Sequence, residues 1–145
     1  MMTKLFEITF SIVPVPQGRP RMCRVGSGVR AVDPPKSRIY KETLQQMAKM
    51  AKPQMITDTP LNIVLQFVLP VPSSWSKKKQ AKALAGEIVP QGRPDLDNLI
   101  KAVLDAMNGV VWEDDSAIVE VAANKVYGDT PLVRMVVYEH EVQIY

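Results

Sequence analysis

The chain has 145 residues, 46% hydrophobic and 23% charged, with a net charge of +3, which is one ordinary globular domain and no more. One cysteine, Cys23, excludes an intramolecular disulfide and makes a reducing cytoplasm the default, while a single histidine, His140, excludes a histidine-rich zinc site and disfavours Ser/His/Asp or Cys/His catalysis. No apolar run approaches the roughly 20 residues that span a bilayer, so no membrane role is expected, and Met1-Met2-Thr3-Lys4 leads into an alternating pattern and not a signal-peptide block.

Residues 5–13, LFEITFSIV, alternate Phe6, Ile8, Phe10 and Ile12 with Glu7, Thr9 and Ser11, the period of a half-buried strand ended by Pro14 and Pro16. Residues 17–38 form a first basic stretch, in which Arg19, Arg21, Arg24, Arg30, Lys36 and Arg38 face one acidic residue, Asp33. Its glycines and prolines argue against regular structure, and a loop this long in a small domain is usually functional or disordered. The expectation is a mobile basic flap that holds a nucleic-acid backbone through Arg19, Arg21 or Arg24. Residues 37–51 read as a helix capped by Ser37, with Ile39, Leu44, Met47 and Met50 as its apolar stripe and Tyr40 in the core.

Residues 61–69, LNIVLQFVL, are largely apolar on both faces and predict a central strand. After Pro70 and Pro72, Ser74 or Ser76 can cap a short helix that Trp75 anchors and Gly86 ends. Lys77, Lys78, Lys79 and Lys82 make it a second basic stretch and a candidate contact for a phosphate backbone. Residues 87–94 are a loop.

The run from 93 to 115, RPDLDNLIKAVLDAMNGVVWEDD, concentrates the chemistry. Leu99, Ile100, Val103, Leu104 and Met107 make one face of a helix, with Asp97 or Asn98 as N-cap and Gly109 at its end. Read as extended chain, Asp95 and Asp97 point the same way and bring their oxygens to one point. Converging carboxylates repel one another until a cation neutralises them, and oxygen-only ligands suit Mg²⁺ or Mn²⁺. Lys101, one turn into the helix, can stabilise charge developing on a phosphate or orient the attacking water. If the chain doubles back after Gly109, Glu113, Asp114 and Asp115 can join the first pair. The plain alternative is that these carboxylates only cap a helix and favour its dipole.

Residues 117–126 and 132–138 are two further strands, the first with Val119, Val121 and Ala123 on one face, joined by a turn over 127–131 and read as an antiparallel hairpin. His140 is expected on the surface, on or just after the last strand. The fold predicted is a single α/β (α+β) domain over 1–145, with a mixed four-stranded sheet, packed helices and the order β-α-β-α-α-β-β.

The ordered set RPDLDN, Lys101, Asp105-Ala106-Met107-Asn108-Gly109 and Asp114-Asp115 resembles the RusA-type Holliday junction resolvases, small metal-dependent endodeoxyribonucleases, most strongly over 93–121. The resemblance implies a Mg²⁺-dependent homodimer, with Mn²⁺ as an alternative ion, that cuts four-way DNA junctions in recombination and repair. Carried onto this chain, the metal-holding catalytic carboxylates are Asp95, Asp97 and Asp115, with Asp114 as a neighbour, and the active-site lysine is Lys101. Family members often carry glutamine where this chain has Ala117. Two symmetric cuts in a four-way junction also require two sites related by a two-fold axis, a geometric reason for a dimer. A branched-DNA-binding protein of the same fold that does not cut is the alternative. A nucleotide-sugar transferase using the same D-x-D tripeptide fits poorly, because the chain has no glycine-rich loop to cradle phosphates.

Overall fold

The computed structural model describes residues 2–142, so Met1 and 143–145 lie outside the described residues. The elements run β1 (Thr3–Phe10), β2 (Arg21–Val25), β3 (Gly28–Val32), α1 (Pro35–Met50), β4 (Leu61–Pro70), α2 (Lys77–Leu84), α3 (Leu96–Met107), a 3₁₀ turn (Asp115–Ala117), β5 (Ile118–Gly128) and β6 (Leu132–Glu139). The α+β class and the mixed four-stranded sheet are as predicted; the β2–β3 pair is an addition. No helix among the described residues is long and apolar enough to cross a membrane.

The sheet order is β1-β6-β4-β5, which makes β4 central as its two apolar faces required. β4 pairs in parallel with β5 and antiparallel with β6, and β6 pairs antiparallel with β1. A parallel pair needs a long crossover, and α2 and α3 supply it between β4 and β5. The expected hairpin of the last two strands is therefore not formed, because β4 lies between them. Burial explains the choice. Val133, Met135, Val136 and Val137 of β6 are all buried, so this strand needs neighbours on both edges and cover on both faces. β5 carries Glu120, Asn124 and an exposed Val119 and takes the open edge. Residues 129–131 carry the chain over the end of β4, and Gly128 passes so close to Val68 that a Cβ there would overlap its side chain. Tyr127, expected in a turn, is thus a strand residue. A register shift between Leu61 and Asn62 leaves Val119 with no opposite number on β4.

One sheet face, built on Leu61, Ile63, Leu65 and Phe67 of β4 with Val133, Met135 and Val137 of β6, belongs to the main core with α1 and α3. α3 buries Leu99, Ala102, Val103, Ala106 and Met107, one continuous stripe at helical spacing. In α1 the stripe is Ser37, Tyr40, Leu44 and Ala48, while Ile39 and Met50 are exposed; only Leu44 and half-buried Met47 of the predicted stripe face inward. The shift follows from where the helix starts. Pro34 is its N-cap and Pro35 its first residue, so Ser37 lies inside the first turn. Ser37 is therefore not the cap. Its buried hydroxyl instead accepts from the Gly18 N–H at 2.8 Å, tying the chain after β1 to α1. α2 begins as expected at Ser76, whose hydroxyl accepts from the Lys79 N–H, and stops at Gly86. His140 follows β6 directly but is half-buried, with Nδ1 2.8 Å from Asn62 Oδ1.

Residues 21–32 correct the expectation of an irregular flap. They form an isolated two-stranded antiparallel ribbon, paired from Arg21↔Val32 to Val25↔Gly28, with Gly26-Ser27 at its tip. Gly26 has φ +61°, the left-handed conformation a two-residue hairpin turn demands. The ribbon carries Arg21, Arg24 and Arg30 and no acidic residue, and positions 21–31 are all exposed.

Candidate active site

The site begins where β4 hands the chain, through α2, to the start of α3. Asp95 is the N-cap of α3, with φ −68° and ψ 136°, and its side chain makes no capping hydrogen bond. Asp97 is in the first turn, where its Oδ1 accepts from the Asn98 N–H at 2.9 Å. Both are exposed, and the helix dipole favours negative charge here. The pair is therefore a cap and a helical residue, not two positions of an extended segment, so strand alternation is not what brings them near each other. Neither Asp97 nor Asn98 is the N-cap. Lys101 follows Asp97 at i, i+4, the spacing of neighbours on one helix face, and is exposed.

Two contacts fix this end of α3. The Lys125 ammonium of β5 donates to the carbonyls of Gly92 (2.6 Å) and Pro94 (2.9 Å), pinning the approach to Asp95 against the sheet. The Gln17 N–H donates to the Asn98 carbonyl at 2.9 Å, holding the start of the ribbon segment to the first turn. The far end of that segment is held as well. Asp33 accepts from Gln17 and pairs with Lys41 at 2.6 Å, and Lys41 also reaches Asp105 on α3 at 3.7 Å. The hydrogen bond from Lys41 holds the Asp33 carboxyl below its ordinary range, with a smaller pull from Lys101. Both ends of the basic ribbon are thus moored beside the Asp95–Asp97–Lys101 face.

Asp115 is elsewhere. α3 has 12 residues, which makes it about 18 Å long. At its far end Asn108 and Gly109 (φ +76°) turn the chain, and the Trp112 indole N–H donates to Asn108 Oδ1 at 2.7 Å. Asp115 comes three residues after Trp112, opens the 3₁₀ turn and leads to Ile118 opposite Leu61, at the start of β4. Lys125, beside Asp95, lies seven residues further along β5, a rise of about 23 Å. The chain does double back after Gly109, but it returns along β5 and leaves the second acidic cluster behind. Asp114 caps the 3₁₀ turn, and the Ser116 hydrogen bonds hold its carboxyl below the usual range.

The donor chemistry suits a hard divalent cation, since every candidate ligand is a carboxylate oxygen and Asp95 and Asp97 are open to solvent. What one chain does not do is gather all three aspartates. Among the described residues, no three His, Cys, Asp or Glu side chains are placed to hold one metal ion.

The cationic candidates fall on two surfaces. Arg21 and Arg24 are on the ribbon, and Arg19 lies just before it. Lys77, Lys78 and Lys79 are exposed in the first turn of α2, where Lys79 stands 4.0 Å over the Trp75 ring and Trp75 meets Tyr127 edge-on at 5.4 Å. Trp75 thereby anchors α2 to β5. Beside Asp95 and Asn98 opens a cavity of about 660 Å³ that also takes in Arg19, Lys36 and Arg93. Lys36, Arg93, Tyr127 and Lys125 were not among the predicted site residues. Arg93 stands two positions before Asp95 and could have been read from proximity alone, whereas Tyr127 and Lys125 reach the site only through the β4–β5 pairing.

A family model described as endodeoxyribonuclease RusA matches residues 11–138, from the end of β1 into β6 and across every residue of the site. The uncharacterized protein YqaN of Bacillus subtilis (strain 168) is 36% identical over 128 residues, covering 87% of this chain and 90% of its own.

Proposed function

The chain belongs to the RusA endodeoxyribonuclease family, and from that premise we propose that it is a Mg²⁺-dependent endonuclease that resolves four-way DNA junctions by paired cuts, acting as a homodimer. One observation carries the reading: two exposed carboxylates at the start of α3 with Lys101 one turn on, beside a cavity lined by cations. Carboxylates inside a cationic surround suit a polyanionic substrate that must meet a bound cation.

Asp95, Asp97 and Asp115 are the proposed metal ligands. Because α3 keeps Asp115 at its opposite end, the set is completed by a second copy, Asp95 and Asp97 from one subunit meeting Asp115 of the partner subunit. A two-fold pair then has two such sites, one for each cut. Bound Mg²⁺ supplies Lewis acidity that makes water nucleophilic at neutral pH and offsets charge on the scissile phosphate. Lys101 adds a fixed positive charge on the Asp97 side of α3, where charge builds as the phosphodiester is attacked. At the α3 N-terminus the Asp95 side chain makes no capping hydrogen bond, and Lys125 pins the backbone that leads to it. The ribbon and the first turn of α2 hold the junction arms. A two-stranded ribbon is of a size that fits the major groove, and Arg21, Arg24 and Lys77 to Lys79 meet phosphates on either side.

The test is cleavage of a labelled four-way junction beside a linear duplex, with Mg²⁺ or EDTA. Paired nicks near the crossover that need the metal are expected, with the duplex left whole. Binding of the junction without cutting in any divalent metal would favour the non-catalytic alternative.

Salt dependence gives a second expected result. Junction affinity falls steeply with salt, with a log–log slope of about −0.9 per neutralised phosphate. Arg24→Ala or Lys78→Ala each makes that slope shallower by about one. A slope unchanged in both variants would remove the ribbon and α2 from the DNA surface.

A further inference from the structure

The cavity beside Asp95 is larger and more apolar than a phosphate clamp requires. Its cations, Arg19, Lys36 and Arg93, form no ion pair with a carboxylate among the described residues, and Asp95 is the one acidic side chain in the lining. Three such cations against one carboxylate make a site for an anion. The remaining wall is different. Val13, Pro14, Pro70, Pro72 and Tyr127 turn apolar surface into the same space. At about 660 Å³ this open-sided cavity has the volume to seat a small organic ligand against its wall. An anionic group on the cations and a flat apolar group against prolines and an aromatic ring together describe a nucleotide.

A nucleotide still stacked in a duplex cannot enter such a space; one that has left the stack can. A branch point is where leaving costs least, because bases there have already lost neighbours. Tyr127 is suited to receive a base. It lines this cavity and also the neighbouring depression that contains Trp75 and Lys79, and Trp75 braces its ring edge-on. Aromatic side chains bind unstacked bases of any sequence through their faces. The Lys79–Trp75–Tyr127 contacts thus lead from the α2 surface to the cavity beside Asp95.

We propose that this cavity takes one nucleotide unstacked from the junction, next to the scissile phosphate, with Lys36 and Arg93 on its phosphate and Tyr127 against its base. The inference rests on the resolvase reading and deepens it, since the cavity then sets which base is favoured beside the cut. The base contact is made by stacking, so the preference rests on how well a base fits between the ring and the prolines.

The experiment places 2-aminopurine, whose fluorescence is quenched by stacking, next to the mapped cut in a four-way junction. Asp97→Asn is used so that the bound junction stays whole. Bound to protein that retains Tyr127, the base exchanges its DNA neighbours for the tyrosine ring, which quenches it too, so the readout is taken in Tyr127→Leu, which keeps an apolar side chain on β5. Saturating Tyr127→Leu protein is expected to raise the fluorescence severalfold above both the free junction and the complex that retains Tyr127. The rise is lost when Lys36→Ala and Arg93→Ala, both surface changes, are added together. Fluorescence that stays quenched in the saturated Tyr127→Leu complex would overturn the inference and leave the resolvase reading intact. A rise that survives Lys36→Ala and Arg93→Ala would overturn it too, since the base would then be unstacked elsewhere. Failure of the unaltered protein to bind junctions would overturn the resolvase reading and this inference with it.

Discussion

Asp97→Asn lowers junction cleavage by on the order of 10³-fold or more, the size of effect that single charged groups have in phosphoryl transfer. Affinity for the junction stays the same or rises, because an exposed negative charge facing a polyanion is removed while the cations remain. Asp95→Asn behaves alike. Its side chain makes no capping hydrogen bond, so no folding contact is lost with the charge. Lys101→Ala also slows cleavage, with intact folding expected for an exposed residue on α3. Gel-shift titration and single-turnover cleavage on one junction separate the two quantities. Equal losses of binding and cleavage in Asp97→Asn would mean that the carboxylate shapes the helix terminus and does no chemistry.

The largest stability effect is expected at Trp112. It is fully buried in the main core, bridges to Ile56 and donates its indole N–H to Asn108 at 2.7 Å. Trp112→Ala opens a large cavity and leaves the Asn108 amide oxygen without its donor, at a cost of about 3–5 kcal/mol. Against a total stability of about 5–15 kcal/mol for a typical domain, that brings the fold near its limit. Trp112→Phe retains most of the volume and costs less. Urea unfolding followed by circular dichroism gives both values. The turn that Trp112 closes also launches the chain toward Asp115, so Trp112→Phe reads out whether the 3₁₀ turn needs the indole bond.

Where one local rule settled the structure, the sequence was readable. α3 shows its apolar stripe plainly, β4 declares its central place by having two apolar faces, and α2 has its serine cap and terminal glycine. The pairing of the last two strands was not readable in the same way, because adjacency along the chain is only a tendency. Which strand lies beside β4 is decided by burial, and the unbroken buried run Met135-Val136-Val137 marks β6 as an interior strand. The ribbon was masked by the prolines around it, although Val25-Gly26-Ser27-Gly28 between RMCRV and GVRAV is a hairpin signal. At the site, Asp95, Asp97 and Lys101 are near one another because one helix carries them. The distance to Asp115 was not legible, since it depends on β5 running parallel to β4 and returning from the far end of α3.

Whether two copies share each site is decided by a mixed dimer of Asp97→Asn and Asp115→Asn subunits, isolated with two different affinity tags. Each variant alone is expected to be inactive and to lose tight Mn²⁺ binding. If each site combines Asp95 and Asp97 of one subunit with Asp115 of the partner subunit, the mixed dimer regains one intact site. It should bind one Mn²⁺ tightly and nick a four-way junction on one strand without the paired second cut. A mixed dimer that neither binds the ion nor nicks the junction, beside an unaltered protein that does both, would contradict a site shared between two copies.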